Sequence, residues 1–212
     1  MVNLLSKSVL TNFEEFIDWY PLQSEYSYEL HNGNVLQMPK PKGKHSQIAG
    51  FLMNELSFEI RKLNLSYFVP RECIVNVNEL SGYEPDVIVL KKTVIQEEPK
   101  WEKESTITRG DLVALIIEVV SSNWSDDYAL KLDAYEALGI PEYWIVDYLG
   151  LGGKRFIGSP KQPTLTIYSL IEGEYHATQF REGQKIQSPR FPSLSLSTRQ
   201  IFNGQFDVQF LP

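Results

Sequence analysis

Two carboxylates stand on apolar runs of the sequence, where an ionised group is costly. Asp86 opens the run Val87 to Leu90, and Glu118 lies near the end of the run Leu112 to Val120. Each run is typical of a buried strand. An ionised carboxylate in such a strand is destabilising unless a cation or hydrogen-bond donors compensate it. The two acids therefore raise the question of a bound metal ion.

The residue types favour a hard cation over zinc. If the two strands pair, their carboxylates can converge at one edge of a sheet and form an oxygen-rich site. Mg²⁺ and Mn²⁺ are commonly held by one or two carboxylates together with water and substrate phosphate. Zinc sites more often use Cys or His, and the chain has a single Cys and three scattered His. The predicted cofactor is therefore Mg²⁺ or Mn²⁺.

Lys131 is a candidate partner for these acids. It follows Glu118 by thirteen residues and lies one helical turn after Asp127, on the same helix face. Beside a cation, its ammonium group could hold or help deprotonate an attacking water, or stabilise charge that develops on a phosphate. The alternative is a surface ion pair between Asp127 and Lys131. Spacing alone favours this surface pair, because such pairs are common.

The elements that would position these residues alternate between helices and strands. Asn32-Gly33 between two apolar runs predicts a β-hairpin. Ser125 is expected to cap the helix that carries Lys131, and Gly139 to end it. The predicted helices cover residues 11–19, 44–63, 125–138 and 199–202. The predicted strands cover residues 26–30, 35–38, 67–70, 72–77, 86–90, 112–120 and 143–147, followed by a β-meander at 165–170, at 175–180 and near Ile186.

Length and composition indicate a single α/β domain of 212 residues. We divide it into an N-terminal helical cap (1–24), a core (25–150) and a C-terminal β extension (151–212). The lone Cys73 excludes an internal disulfide framework, and without a leader or a long apolar run we expect a cytoplasmic protein with no membrane segment.

The net charge of −7 argues against indiscriminate binding to nucleic acid, although it leaves specific binding open. Acids gathered at a metal site would contribute to the negative total. Two basic clusters could form a local positive rim, and a solvated loop explains them equally well. The clusters are Lys40, Lys42, Lys44 and His45, and Lys91 with Lys92.

Several segments together resemble the Uma-two (Uma2) family of bacterial proteins. That family is assigned to the PD-(D/E)XK, or restriction endonuclease-like, superfamily. The resemblance implies a restriction endonuclease-like core with a mixed sheet flanked by helices. It extends from Tyr28-Glu29-Leu30 to the final helix. The segments that carry it are Pro85-Asp86, Glu118-Val119-Val120, Ala134 to Ile140 and Glu142 to Asp147, with Gly33 and His45 at further matching positions.

The resemblance implies a catalytic set of Asp86, Glu118 and Lys131. Asp86 and Glu118 match the metal-binding acids, and the carbonyl of Val119 is implied as a further ligand. The superfamily pattern has a lysine two residues after the second acid, where this chain has Val120. Related proteins are thought to supply the amine from the following helix, which here makes Lys131 the candidate.

Four residues are secondary candidates. Glu29 either faces the metal from a neighbouring strand or is solvated, as an alternating strand residue usually is. His45 could contact a phosphate or donate a proton, or it could be structural or exposed at its helix start. Ser121 either serves a turn or touches substrate. Asp127 completes the group as the partner of Lys131.

Three functions are compatible with these residues. The first is a metal-dependent endonuclease that hydrolyses phosphodiester bonds in nucleic acid, with DNA as the expected substrate. The second is a nuclease-fold module that has lost turnover and binds nucleic acid or protein, as Val120 and the negative charge suggest. The third is a structural domain in which Asp86 caps a turn and Glu118 pairs with a basic residue in the core. Cleavage of both strands of a duplex would favour a homodimer.

Overall fold

The computed structural model of the chain describes residues 3–4, 11–21, 24–41 and 43–206, and these form a mixed α/β fold. The strands are β1 Asn3–Leu4, β2 Tyr26–His31, β3 Asn34–Pro39, β4 Tyr67–Phe68, β5 Ile74–Asn78, β6 Ser81–Tyr83, β7 Val87–Lys91, β8 Thr106–Ile107, β9 Val113–Val119, β10 Glu142–Asp147, β11 Thr164–Ile171 and β12 Glu174–Phe180. The helices are α1 Phe13–Trp19, α2 Gly43–Lys62, α3 Trp101–Glu104, α4 Lys131–Ala137, α5 Lys154–Ile157 and α6 Thr198–Asn203. The predicted fold class is confirmed.

The strands in the described part of the chain belong to two sheets. The hairpin sheet has the order β1-β3-β2-β6-β5-β8, and the central sheet has the order β12-β11-β10-β9-β7-β4. The predicted hairpin is present, with Asn32 and Gly33 at positive φ in its turn. The hairpin lies in a different sheet from β7 and β9. A residue on β2 that contacts the central sheet therefore makes a contact between the two sheets.

The register of the central sheet brings three chain segments to one edge. β9 runs parallel to β10, with Val119 opposite Val146, and antiparallel to β7, with Ile117 opposite Val87. The ends of β9 and β10 therefore lie beside the start of β7. We call this the carboxyl edge. Asp86, which immediately precedes β7, lies at this edge as well.

The two faces of β9 contact different parts of the fold. Ile117 and Val119 pack in a cluster with the apolar side of α2, including Leu52. Ile116 and Val120 pack in a second cluster that includes Tyr135 of α4. Because side chains alternate along a strand, Glu118 shares the face of Ile116 and Val120. The strand thus directs its carboxylate toward the helix that carries Lys131.

The predicted helix starting at Ser125 begins differently from expectation. Ser125 has helical dihedral angles and makes no capping hydrogen bond, so the predicted cap is wrong. Residues Asp126–Leu130 form a π-helical turn, in which the backbone N–H of Lys131 donates to the carbonyl oxygen of Asp126. The helix ends before Gly139, which has a φ of +76°, as predicted. The π-turn sets the rotation at which α4 starts.

Helix α1 packs on the hairpin sheet. Asn12 accepts a hydrogen bond from the N–H of Glu15 and begins α1, whose Phe13 and Phe16 are buried. The short strand β6, between β2 and β5, was not predicted. Its Gly82 lies so close to Phe13 that a Cβ atom there would be 2.3 Å from the aromatic ring. A glycine is therefore required where α1 covers the sheet.

The C-terminal meander continues the central sheet. β11 pairs antiparallel with both β10 and β12, in agreement with the predicted alternation. The segment near Ile186 contributes a single bridge between Lys185 and Ser197 rather than a strand. The division of the chain at residues 24 and 150 stays a prediction. Residues 1–2, 5–10, 22–23 and 207–212 of the outer parts lie outside the described residues.

None of the described helices combines the length and the apolar character that crossing a membrane would require.

Candidate active site

Lys131 lies at the centre of a buried group of carboxylates. Its Nζ is 3.0 Å from Oε1 of Glu118, 3.0 Å from Oε1 of Glu29 and 3.6 Å from Oδ1 of Asp127. The residue is only 6% exposed. The interpretation of Asp127 and Lys131 as a surface pair is therefore wrong. Burial alone would lower the pKa of Lys131, but Glu118 and Glu29 raise the pKa well above its usual value.

Three separate elements deliver the members of this group. Glu118 comes from β9 of the central sheet, Glu29 from β2 of the hairpin sheet, and Lys131 from the first turn of α4. The ammonium group thus connects two sheets and a helix. Val120, at the position where the resemblance implies a lysine, is buried in an apolar cluster. The amine reaches Glu118 from the helix instead.

The donors around Glu118 use only one of its two carboxylate oxygens. Lys131 and the hydroxyl of Tyr135 both donate to Oε1, at 3.0 and 3.2 Å. No described residue donates a hydrogen bond to Oε2. Burial raises the pKa of Glu118 well above its usual value, and the nearby charges of Asp127 and Asp86 add to the rise against the attraction of Lys131.

Glu29 has more donors and the opposite shift. Oε1 accepts from the backbone N–H of Glu84 at 3.1 Å, and Oε2 accepts from Nε2 of His31 at 2.8 Å. Burial would raise the pKa of Glu29, but Lys131 and His31 lower it to about 2. The predicted solvated alternative is wrong, because the residue is 2% exposed. Glu29 retains its charge and attracts Lys131 in competition with Glu118.

Asp86 is anchored at the carboxyl edge. Oδ2 accepts a hydrogen bond from the backbone N–H of Val119 at 2.8 Å, and Oδ1 accepts from Nε2 of His45 at 2.7 Å. Burial lowers the pKa of His45, but the hydrogen bond and charge of Asp86 outweigh this effect and raise it. The side chains of Asp86 and His45 are 13% and 17% exposed, so both reach solvent. The hydrogen bond from Val119 ties Asp86 to the residue that follows Glu118.

The remaining candidates are placed less centrally. Asp127 is buried, and burial raises its pKa to about 7, with further increases from Asp86 and Glu29 against Lys131. Ser121 is exposed and makes no hydrogen bond to the described residues. The role of the Val119 carbonyl as a ligand stays a prediction.

The donor set fits a cation that binds mainly through water and substrate. Among the described residues, no three His, Cys, Asp or Glu side chains form a ready metal cluster. Asp86 and Glu118 are the pair that would hold an ion, which suits Mg²⁺ or Mn²⁺ because these ions retain several waters. Four carboxyl groups also surround Lys131 and His45, namely Glu29, Asp86, Glu118 and Asp127. The excess of acid favours an additional positive charge.

Sequence reasoning missed three members of the group. His31 lies two residues after Glu29 on the same strand face, and this spacing was a readable signal. The hydroxyl of Tyr135 donates a hydrogen bond to Glu118, although Tyr135 was not among the candidates. The ring of Tyr83 lies 5.8 Å from Nζ of Lys131. That contact depends on β6 and has no local signal in the sequence.

Comparison with known proteins identifies the family. The model of the Uma2 family, described as "Putative restriction endonuclease", matches residues 13–199. A solved structure from Anabaena variabilis ATCC 29413, described as a "putative nuclease belonging to DUF820", is similar with a TM-score of 0.66 and 20% sequence identity. The similarity covers 91% of this chain and 98% of that chain. At this identity the likeness establishes the fold alone. No curated protein matches the sequence.

The family match spans most of the chain and includes Glu29, Asp86, Glu118 and Asp127, which we call the acid group. The fold agrees with that of the Anabaena protein over nearly its full length. The chain therefore belongs to the Uma2 family of restriction endonuclease-like proteins.

Proposed function

We propose that the protein is a divalent-metal-dependent endonuclease that hydrolyses phosphodiester bonds in DNA. One observation carries the proposal. The acids Asp86 and Glu118 meet at the carboxyl edge, and the buried ammonium of Lys131 contacts Glu118 from the following helix. This arrangement combines oxygen ligands with a positive charge, which are the groups that phosphoryl transfer to water requires.

The protein side chains would share the work as follows. Asp86 and Glu118 would hold Mg²⁺ or Mn²⁺, and the ion would supply a lower pKa of the attacking water and shielding of the phosphate charge. His45 and the N–H of Val119 fix the orientation of Asp86 by hydrogen bonds to its two oxygens. Lys131 holds Oε1 of Glu118 and leaves Oε2 free of protein donors within the described chain. The free oxygen is the one available to a ligand.

Glu29 competes with Glu118 for the ammonium group of Lys131 and so weakens the attraction between Lys131 and Glu118. Glu29 binds the same ammonium at the same distance of 3.0 Å and is itself fixed by His31. Lys131 is thereby held between two sheets, with its Nζ 5.8 Å from the centre of the Tyr83 ring. We infer that Glu29 is a positioning residue for Lys131 rather than a metal ligand.

The test is a nicking assay on supercoiled DNA with Mg²⁺ or Mn²⁺. The wild-type protein should nick the plasmid, EDTA should stop the reaction, and Asp86→Ala and Glu118→Ala should each lower the rate by about 10²-fold or more. Circular dichroism would establish that the variants fold. Cleavage that persists in both alanine variants would overturn the assignment of these acids.

An inactive relative would give a different result. A folded protein that binds DNA but shows no cleavage with either metal would support the binding module that Val120 suggests. A protein that neither binds nor cleaves DNA would support the structural role, in which Lys131 merely neutralises Glu118 in the core.

We further propose a symmetric homodimer for cleavage of both strands, since one active site serves one strand. The edge strand β12, whose residues are largely exposed, is the surface available for that contact. Sedimentation equilibrium would distinguish a dimer from a monomer.

A further inference from the structure

An acid-free stretch follows β10 and differs in charge from the rest of the chain. Residues 148–171 contain no Asp or Glu, although the chain has a net charge of −7. The first part of this stretch, residues 148–163, leaves the central sheet after Asp147 and returns in β11. It carries three exposed cations, Lys154, Arg155 and Lys161. We call residues 148–163 the basic turn.

The basic turn lies at the carboxyl edge, beside the acid group. β10 runs parallel to β9, so the chain that follows Asp147 leaves the sheet at the same edge as the chain that follows Glu118. The two segments touch, because a Cβ atom on Gly153 would lie 3.1 Å from the ring of Trp124. Trp124 in turn packs against Tyr128, the residue after Asp127. A continuous path of contacts therefore joins the basic turn to the acid group.

Two of the three cations, Arg155 and Lys161, are held in place by contacts that do not neutralise them. Arg155 lies 4.3 Å from the ring centre of Phe156, and Nζ of Lys161 lies 5.7 Å from that of Trp124. Nζ of Lys161 also donates to the carbonyl oxygen of Leu151 at 2.9 Å. Within the described part of the chain, none of the three cations forms an ion pair with a carboxylate. Aromatic packing of this kind orients long side chains and leaves their charged ends available.

A polyanionic substrate needs such a surface at this place. Four carboxyl groups at the acid group repel phosphates, and an acidic protein has little general attraction for nucleic acid. Of the basic clusters predicted from the sequence, Lys91 and Lys92 lie at the end of β7 that is remote from Asp86. They are therefore at the wrong edge of the sheet to guide a strand toward the acids.

We propose that the basic turn binds the phosphate backbone of the DNA through Lys154, Arg155 and Lys161, beside the acid group. This inference rests on the proposed function, because it names the surface that holds the substrate of the same site. The cations supply charge and no base-specific contact, so the bound chemistry is the phosphodiester backbone of any sequence.

The test measures binding of a fluorescent DNA duplex in EDTA, where cleavage does not interfere. The variant Lys154→Ala/Arg155→Ala/Lys161→Ala should bind at least 10-fold more weakly than the wild type at low salt. The slope of log K against log salt should become shallower by about 2.7, since each lost phosphate contact removes about 0.9. The charge-conserving variant Lys154→Arg/Arg155→Lys/Lys161→Arg should bind within about threefold of the wild type, which separates loss of charge from loss of fold.

A matched control removes the same charge from the opposite edge. Arg61 and Lys92 line a groove with Phe68 of β4, and Lys103 follows Trp101, whose ring packs against Phe68. The variant Arg61→Ala/Lys92→Ala/Lys103→Ala has the same net charge as the test variant and should retain wild-type affinity and salt slope. Equal weakening by the two variants would overturn the proposal, as would equally tight binding of polyglutamate.

The outcomes also separate this inference from the proposed function. Wild-type protein that binds DNA through the basic turn but does not cleave it with metal would support the inference and refute the nuclease. Cleavage with metal and unchanged binding by the test variant would support the nuclease and refute the inference.

Discussion

Two glutamates on neighbouring strands of the central sheet are equally buried and very differently satisfied. Glu142 on β10 is 0% exposed, and the three groups that donate hydrogen bonds to it are neutral. Its Oε1 accepts from Nε1 of Trp144 and Oγ of Ser188, both at 2.6 Å, and its Oε2 accepts from the N–H of Arg190 at 2.9 Å. Glu118 on β9 shares one ammonium with Glu29, and only its Oε1 is used by the described residues.

Burial alone therefore does not identify a functional acid. Burial raises the pKa of both Glu142 and Glu118. The three donors of Glu142 use both oxygens and fasten residues 188–190 to the sheet, which is a structural task. Around Glu118 the four carboxyl groups outnumber the basic side chains Lys131, His31 and His45. An excess of carboxyl groups over basic groups is the property that indicates a site for a cation.

The largest effect is expected from Lys131→Met, which removes the ammonium and keeps a similar side-chain volume. Glu118, Glu29 and Asp127 would then lose their shared cation, and breaking a buried ion pair costs about 3–5 kcal/mol. Urea denaturation at neutral pH would measure the free energy of unfolding. A variant as stable as the wild type would show that Glu118 depends on the ammonium of Lys131 no more than Glu142 depends on a cation.

A smaller effect is expected from Glu142→Gln. The amide NH₂ of the glutamine would face a donor, because all three groups around Glu142 donate. Leaving a buried donor unpaired costs about 1–3 kcal/mol. The same denaturation experiment measures this loss, and the nicking rate per folded molecule should not change. Loss of nicking in a fully folded Glu142→Gln protein would contradict the structural role.

The pH dependence of stability should distinguish Glu29 from Glu118 and Glu142. The folded pKa of about 2 lies below the ordinary value of 4.5, so the ionised form stabilises the fold above pH 4.5 and this contribution is lost as the pH falls toward 2. For this residue the loss between pH 5 and pH 4 is about 0.7 kcal/mol. The free energy of unfolding of Glu29→Gln should therefore fall less steeply over this interval. Parallel curves for the two proteins would show that Glu29 is not held ionised.

The smallest effect is expected from Ser121→Ala at the carboxyl edge. Ser121 is exposed and makes no hydrogen bond to the described residues. The free energy of unfolding should change by less than about 0.5 kcal/mol, and the nicking rate should stay at the wild-type value. A large fall in the nicking rate with unchanged stability would restore Ser121 as a substrate contact.

The elements that were predicted from the sequence depend on local signals. Asn32-Gly33 specifies a turn by its backbone preferences, and the apolar spacing of α2 specifies a helix face. β6 could not be predicted in this way, because Ser81–Tyr83 is short and contains Gly82. Its position depends on the ring of Phe13, a contact between residues distant in the chain.

The site could be predicted only in part for the same reason. Asp86 stands out because it opens an apolar run, and Glu118 because it interrupts one. The spacing of Asp127 and Lys131 also fits a surface pair, and only Glu29 from the other sheet completes the burial of the ammonium. Alternation along β2 likewise gave no indication that another element would cover Glu29. When a residue is buried by a partner from another sheet, the sequence around that residue does not show it.

The π-helical turn before α4 determines the direction in which the side chains of α4 point. A π-turn contains one residue more than an α-helical turn, and each residue of an α-helix advances the side chains by about 100°. Deleting one residue from Asp126–Leu130 would preserve a continuous helix while rotating Lys131 and Tyr135 away from Glu118. The one extra residue of the π-turn therefore determines that Lys131 and Tyr135 face Glu118.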